Sequence, residues 1–160
     1  MKKMKKKTLK TVNLLLGMLT AAFGIVAACM LFSDAISFLK KDWTFTGAQV
    51  AFGHSEGSGI LSLTYFDFNI VATLAYLLPL AGGVLAVLFK GRLGTILSFL
   101  CFVVATVLLF LMSEIGKLGI SDQFSGFSDA ITFELGIGAI LGGAFSAAGA
   151  VTTAIKGLLR

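Results

Sequence analysis

Residues 135–155 read LGIGAILGGAFSAAGAVTTAI, an apolar stretch without a single charged side chain. A helix needs about 20 predominantly apolar residues to cross the hydrocarbon core of a bilayer. Three further stretches meet this condition, at residues 11–33, 69–89 and 93–113. The sequence therefore predicts an all-α integral membrane protein, in which residues 1–160 form one four-helix transmembrane bundle.

The overall composition agrees with this interpretation. Of the 160 residues, 57% are hydrophobic and only 13% are charged, and the mean hydropathy is +0.96. A soluble domain with this balance would expose too much apolar surface to stay dispersed. The net charge of +5 does not favour nucleic acid as a partner, because the basic residues form no cluster beyond the N-terminal tail.

The distribution of charge predicts the orientation. Ten of the 13 basic residues fall before the first stretch, between the second and third, or after the fourth: Lys2, Lys3, Lys5, Lys6, Lys7, Lys10, Lys90, Arg92, Lys156 and Arg160. All eight acidic residues fall in the other two connections, at 34–68 and 114–134. The positive-inside rule then places both termini in the cytoplasm of a multi-pass plasma-membrane protein. We expect the lysine-rich N-terminus to contact anionic lipids. The acidic outer face is interpreted as a solvated surface, with a site for a cation or a basic partner as the alternative.

The cysteines leave one question of processing open. Residues 26–29, Val-Ala-Ala-Cys, resemble the lipobox of bacterial lipoproteins, in which the cysteine is lipidated after cleavage. The apolar run continues to Phe32, which favours a retained span over a signal peptide, and a lipidated Cys29 is the alternative. Cys101 is predicted at a different depth, too far from Cys29 for a disulfide.

Small residues predict how the helices meet. In lipid, close approach of backbones holds helices together, and small residues allow it. The fourth stretch offers such a row at Gly138, Gly142 and Ser146. The first stretch offers one at Gly17, Ala21, Gly24 and Ala28. We expect the first and fourth helices to pack tightly, either within one chain or across a homo-oligomer.

The sequence offers no constellation for catalysis or for a cofactor. None of the four stretches carries the ionisable side chain that proton-coupled transport normally uses at mid-depth. His54 and Glu56 lie together in a glycine-rich loop, but a metal site needs three or four ligands. The prediction is therefore a protein that is not an enzyme and holds no metal or cofactor. Pro79 predicts a kink in the second helix, with the lining of a transport cavity as the alternative.

The two outer connections are the candidate functional surface. In the first, Trp43 and Phe45 alternate with polar residues, and so do Leu61, Leu63 and Tyr65. This pattern predicts two short strands that pair as a β-hairpin and form a small extracytoplasmic cap. The predicted partner surface comprises aromatic residues of both connections: Trp43, Phe45, Phe52, Phe124 and Phe127.

This layout resembles that of claudins and peripheral myelin proteins. Shared features are the cytoplasmic N-terminus, the long first outer loop with a strand pair, the tiny inner turn and the shorter second outer loop. The claudin loop signature of Gly-Leu-Trp and a cysteine pair is absent. Residues 45–53 are also similar to a stretch in small four-span proteins of low-GC Gram-positive bacteria. That similarity implies a bacterial membrane location and no particular activity.

Together these features predict a non-enzymatic membrane protein. The leading hypothesis is a structural or interaction protein, or an accessory subunit, that acts through its outer loops. The alternative is an oligomeric passive transporter or channel component. A water-filled polar path through the bundle would favour the alternative, and a dry, closed bundle would favour the leading hypothesis.

Overall fold

The computed structural model describes residues 2–38, 43–57, 62–89, 91–123 and 131–159, with side chains from residue 8 onwards. In chain order the elements are α1 (Lys2–Cys29), a 3-10 helix (Met30–Phe32), β1 (Asp34–Phe38), β2 (Trp43–Thr46), α2 (Gly47–Phe52), β3 (His54–Glu56), β4 (Leu63–Phe66), α3 (Ile70–Leu88), α4 (Arg92–Phe110), α5 (Met112–Leu118), β5 (Glu134–Leu135) and α6 (Ile137–Leu158).

Four of these helices are long and apolar enough to cross a membrane. The candidate spans are Thr8–Phe32, Ile70–Leu88, Arg92–Phe110 and Ile137–Leu158. The predicted four spans are thus confirmed by length and composition. Three ends differ by three residues from the prediction. The first span begins at Thr8, the third stops at Phe110, where Leu111 separates it from α5, and the fourth continues to Leu158.

The four long helices form a ring. Helices α1 and α4 lie at opposite corners, and each of them packs against both α3 and α6. Small residues fill the interior, as in α6, where Gly142, Ser146 and Gly149 are buried. Large apolar residues face outward, such as Leu141 and Val151. A soluble bundle would reverse this pattern, so the arrangement suits a lipid environment.

The small face of α1 packs against α3. A Cβ atom placed on Gly24 would overlap the main-chain carbonyl oxygen of Pro79, and one placed on Gly83 would lie 3.0 Å from the Cα of Ala21. One turn further, a Cβ on Gly17 would lie 3.3 Å from the carbonyl oxygen of Ala86. The predicted packing of α1 against α6 is present. Gly17 contributes to it, because a Cβ atom there would lie 3.1 Å from Nζ of Lys156 in α6, whereas Gly24 and Ala21 lie against α3. The ring gives α1 two neighbours, and its smallest residues approach α3.

Further residues also make the contact between α1 and α6. The hydroxyls of Thr20 and Thr152 lie 3.0 Å apart, and the rings of Phe23 and Phe145 stack with centroids 6.3 Å apart. The glycine row of α6 lies near the last turn of α1 and the residues after it. There Gly142 approaches Met30, Ala27 and, from α4, Leu109, and Gly138 approaches Ser33 and Asp34. Ala28 is half-buried, and Ser146 is buried with its hydroxyl unpartnered among the described residues.

One aromatic side chain fills the middle of the bundle. Phe102 of α4 is fully buried. Its ring lies over the bare backbones of Gly82 in α3 and Gly149 in α6, where an added Cβ would come within 3.0 Å and 2.6 Å of the ring carbon atoms Cδ2 and Cδ1, respectively. The two glycines make room for the ring, so three helices share one large side chain at mid-depth.

The described residues between α1 and α3 and between α4 and α6 form the cap. It contains two small antiparallel sheets, one with strand order β2-β1-β5 and one with β3-β4. The expected strands near residues 43–46 and 63–66 are present, but their predicted pairing with each other is wrong. β2 pairs with β1, and β4 pairs with β3, because the capped helix α2 intervenes after Thr46. The first connection therefore contains two hairpins.

Close contacts fix the cap to the bundle. A Cβ atom on Gly47 of α2 would lie 2.7 Å from the buried ring of Tyr76 in α3. The side chain of Asn69 caps α3 by accepting from the N–H groups of Val71 and Ala72, and it donates to the carbonyl oxygen of Ile115 in α5 at 2.8 Å. Both connections are thereby held in place over the helix ends.

Candidate functional site

An apolar cleft of about 260 Å³ lies in the cap. Both connections contribute to its lining: Phe38, Trp43, Phe45, Tyr65, Phe66, Ile120, Ile131 and Phe133. Six of these eight side chains are aromatic. The cleft is therefore suited to an apolar occupant.

The two sheets meet at Phe45, and this contact forms the floor of the cleft. The Phe45 ring stands edge-on to that of Phe66, with centroids 4.9 Å apart, and lies 6.0 Å from that of Tyr65. Phe45 and Phe66 are buried, whereas Trp43 at the rim is 48% exposed. Tilted and edge-on ring pairs of this kind add about 0.5–1.5 kcal/mol each beyond the area they bury. The floor is therefore a fixed surface, and Trp43 is the most exposed of the aromatic residues that line the cleft.

The second connection closes the other side through backbone pairing. β5 joins β1 with Ile36 opposite Leu135, which brings Phe133 to 6.1 Å from Phe38. Residues near Ile120 join β4, where Ser121 donates its N–H to the carbonyl oxygen of Tyr65. The cleft thus exists only when both connections are folded together.

His54 supports one wall from the side. Its ring stacks on Tyr65, with centroids 5.9 Å apart and planes at 21°, and lies edge-on to Phe45 at 6.2 Å. The Gln49 amide nitrogen lies 3.4 Å from both ring nitrogens, and Glu56 Oε1 lies 3.4 Å from Nε2. No group of three or more potential metal ligands occurs in the described part of the chain. The two ring contacts of His54 help to hold the aromatic wall in place.

The described surface of the cap is acidic. Its described carboxylates are all exposed: Asp34, Glu56, Asp67, Glu114, Asp122 and Glu134. Lys117 is the one basic residue among the described cap positions, and its ammonium lies 3.0 Å from Glu114. A binding partner would thus meet an apolar cleft in an acidic cap.

The structure brings together two of the five predicted surface residues. Trp43 and Phe45 line the cleft, but Phe52 does not, although it is 55% exposed on α2. Phe124 and Phe127 lie outside the described residues. The sequence interpretation missed Phe38, Phe66 and Phe133 as members of the site. Tyr65 carried a detectable signal in its alternation with polar neighbours, whereas Phe133 reaches the cleft only through long-range pairing.

No protein-family model, curated protein sequence or solved structure matches this chain. Its function must therefore be argued from the chemistry of its own surfaces.

Proposed function

We propose that this chain is a non-enzymatic integral membrane protein that binds another membrane protein through the aromatic cleft of its cap. It would act as an interaction protein or accessory subunit. The single observation that carries the proposal is the cleft itself, whose walls are apolar and mostly aromatic. Exposed aromatic anchors of the kind of Trp43 are enriched at protein interfaces.

The cleft and its surroundings suggest the chemistry of the partner. A volume of about 260 Å³ accommodates one or two large apolar side chains rather than a whole domain. The exposed carboxylates of the cap favour basic residues next to those side chains, because complementary charge steers association and fixes register. The expected partner segment therefore presents an apolar or aromatic side chain flanked by Lys or Arg.

We further propose that the four helices span a plasma membrane with both termini in the cytoplasm, so that the cap is extracytoplasmic. The basic residues of the bundle ends support this orientation. The similarity to claudins in layout stays a prediction. A passive channel is less favoured, because Phe102 fills the centre of the bundle at mid-depth, where a conducting path within one chain would run.

The test is site-specific photo-cross-linking in native membranes. A photoreactive phenylalanine analogue would replace Trp43 in one variant and Phe52 in the other. The two positions are matched, since their exposed fractions are 48% and 55% and both lie in the cap. We expect position 43 to form one discrete cross-linked product with another protein and position 52 to form none.

The captured protein would then be purified and its affinity measured directly. The substitution Trp43→Ala should weaken binding by roughly tenfold or more, as for an interface hot spot, and Phe52→Ala should leave it unchanged. Equal loss in both variants, or labelling of lipid only, would reject the cleft as the binding site. A cross-link to a second copy of this chain would replace the hetero-complex by a homo-oligomer. Liposomes with purified protein that leak small solutes would instead support the channel alternative.

A further inference from the structure

A second cavity, of about 460 Å³, opens at the opposite end of the bundle. We call this the basic end, because the N-terminal part of α1 and the C-terminal part of α6 lie there. Three helices line the cavity, with Lys10, Asn13, Leu14 and Gly17 from α1, Ala86 and Val87 from α3, and Lys156 from α6. It combines two cationic side chains and one amide with apolar walls.

Lys156 is the unexpected member of this group. The sequence places it after the fourth apolar stretch, but α6 continues through it to Leu158, and only 5% of the residue is exposed. Its ammonium group donates to the main-chain carbonyl oxygen of Ala86, in the last turn of α3. A Cβ atom on Gly17 would lie 3.1 Å from Nζ. The bare backbone of Gly17 thus provides the space into which the ammonium group extends.

The depth of the cavity follows from the antiparallel contact of α1 and α3. Gly24 lies beside Pro79, Ala21 beside Gly83, and Gly17 beside Ala86. From Gly24 to Gly17 the contact moves seven residues along α1, and from Pro79 to Ala86 it moves seven residues in the opposite direction along α3. Continued by one more turn, this register brings Asn13 level with the connection between α3 and α4. The cavity therefore lies where the apolar helices end, at the depth of lipid phosphate groups.

The electrostatic environment favours an anion. The sequence has no Asp or Glu in residues 1–33, 68–113 or 135–160, which include all the residues that line the cavity. No acidic side chain from these segments competes with an incoming phosphate. The side-chain oxygen of Asn13 is buried without a hydrogen-bond partner among the described residues. Because that oxygen has almost no accessible surface, the Asn13 side chain has to rotate toward the cavity before the oxygen accepts from a hydroxyl group of the ligand.

We propose that this cavity binds the headgroup of an anionic phospholipid that carries a free hydroxyl, with the phosphate beside Lys156 and Lys10 and the hydroxyl on Asn13. The apolar side chains of Leu14 and Val87 would contact the adjoining part of the lipid. The site is distinct from general attraction to the lysine-rich N-terminal tail, because it lies between three helices. It is independent of the function proposed for the cap.

The test uses the full chain in mild detergent with phosphatidylglycerol as the probe and phosphatidylcholine as the neutral comparison, read by native mass spectrometry. We expect phosphatidylglycerol to be retained at least fivefold more than phosphatidylcholine. Lys156→Gln and Lys10→Gln should each remove this preference. The control is Arg92→Gln, which removes one positive charge from an exposed residue at the same end that does not line the cavity. It should retain the preference.

The other outcomes overturn either the proposal itself or the identification of a lipid as the source of the phosphate group. If Arg92→Gln loses the preference as fully as Lys156→Gln, only diffuse attraction operates. If Lys10→Gln, at an exposed position where a loss of folding is not expected, leaves the preference intact, the cavity is not the site. Asn13→Leu should reduce selectivity for phosphatidylglycerol over phosphatidic acid, which lacks the glycerol hydroxyls. Displacement of the lipid by millimolar glycerol phosphate would identify a soluble phosphate compound, and not a lipid, as the ligand.

Discussion

Replacing Gly24 with alanine tests the close packing of α1 on α3. The added methyl group would overlap the carbonyl oxygen of Pro79, which is main chain and cannot rotate away. Gly142→Ala is the matched control, because its methyl group would meet its nearest neighbours, Leu109, Met30 and Ala27, at 3.4–3.6 Å, which is ordinary van der Waals contact. Both substitutions gain about 0.8–1.0 kcal/mol of helix propensity. Overpacking costs about 1–3 kcal/mol, and only Gly24→Ala incurs that cost.

The difference between the two variants isolates the packing effect, because the propensity gain cancels. We expect Gly24→Ala to be less stable than Gly142→Ala by about 1–3 kcal/mol, with Gly142→Ala equal to or slightly more stable than the original chain. The assay is reversible unfolding by sodium dodecyl sulfate in mixed micelles, followed by far-ultraviolet circular dichroism. Tryptophan fluorescence is unsuitable, since the sole tryptophan, Trp43, lies in the cap. Equal stability of the two variants would refute the contact between α1 and α3.

Three further predictions address the bundle, the cap and the orientation. Phe102→Ala should lower the free energy of unfolding by about 3–5 kcal/mol, measured in the same assay. Phe99→Ala, at an outward-facing position, should lower it far less, and similar losses in the two variants would place Phe102 outside the core. Asn69→Ala should lower the free energy of unfolding by about 2–4 kcal/mol, because α3 loses its cap and a buried carbonyl loses its donor. Asn69→Asp should recover the part of this loss that is due to capping, and the absence of any recovery would refute the capping role. In a cysteine-free background, a membrane-impermeant thiol reagent applied from outside should label a cysteine at Ser55 and not one at Gly91; the reverse pattern would invert the proposed topology.

The spans were predictable because hydropathy depends only on local composition. A helix of about 20 apolar residues forms all its backbone hydrogen bonds internally and can therefore span a bilayer. Residues 69–89 and 93–113 could thus be recognised as spans without reference to the rest of the chain. The strands near Trp43 and Leu63 were predictable for the same reason, since alternation is local. Their partners were not. The capping box of Thr46 and Gln49 starts α2 directly after β2. This short helix separates β2 from β4, the two strands that were predicted to pair with each other.

The aromatic cleft was only partly predictable. Trp43 and Phe45 were predicted because they are aromatic residues on a predicted strand in a polar loop. Phe133 lies just before a transmembrane stretch, where an aromatic residue is equally expected as an interfacial anchor. Only the pairing of β5 with β1, across about 100 residues of sequence, moves Phe133 into the cleft. A pattern of local periodicity contains no information about such a contact.

The ring of helices explains why the small-residue pattern identified only one of the two neighbours of α1. A row of small residues such as Gly17 and Gly24 indicates that another helix packs closely against that face. In a four-helix ring, each helix has two neighbours that could do so. Glycines in α6 are more numerous and suggested that helix, whereas the observed counterpart in α3 includes Pro79. Gly24 lies against the main-chain carbonyl oxygen of Pro79, a contact with α3 that a search for rows of glycine alone overlooks.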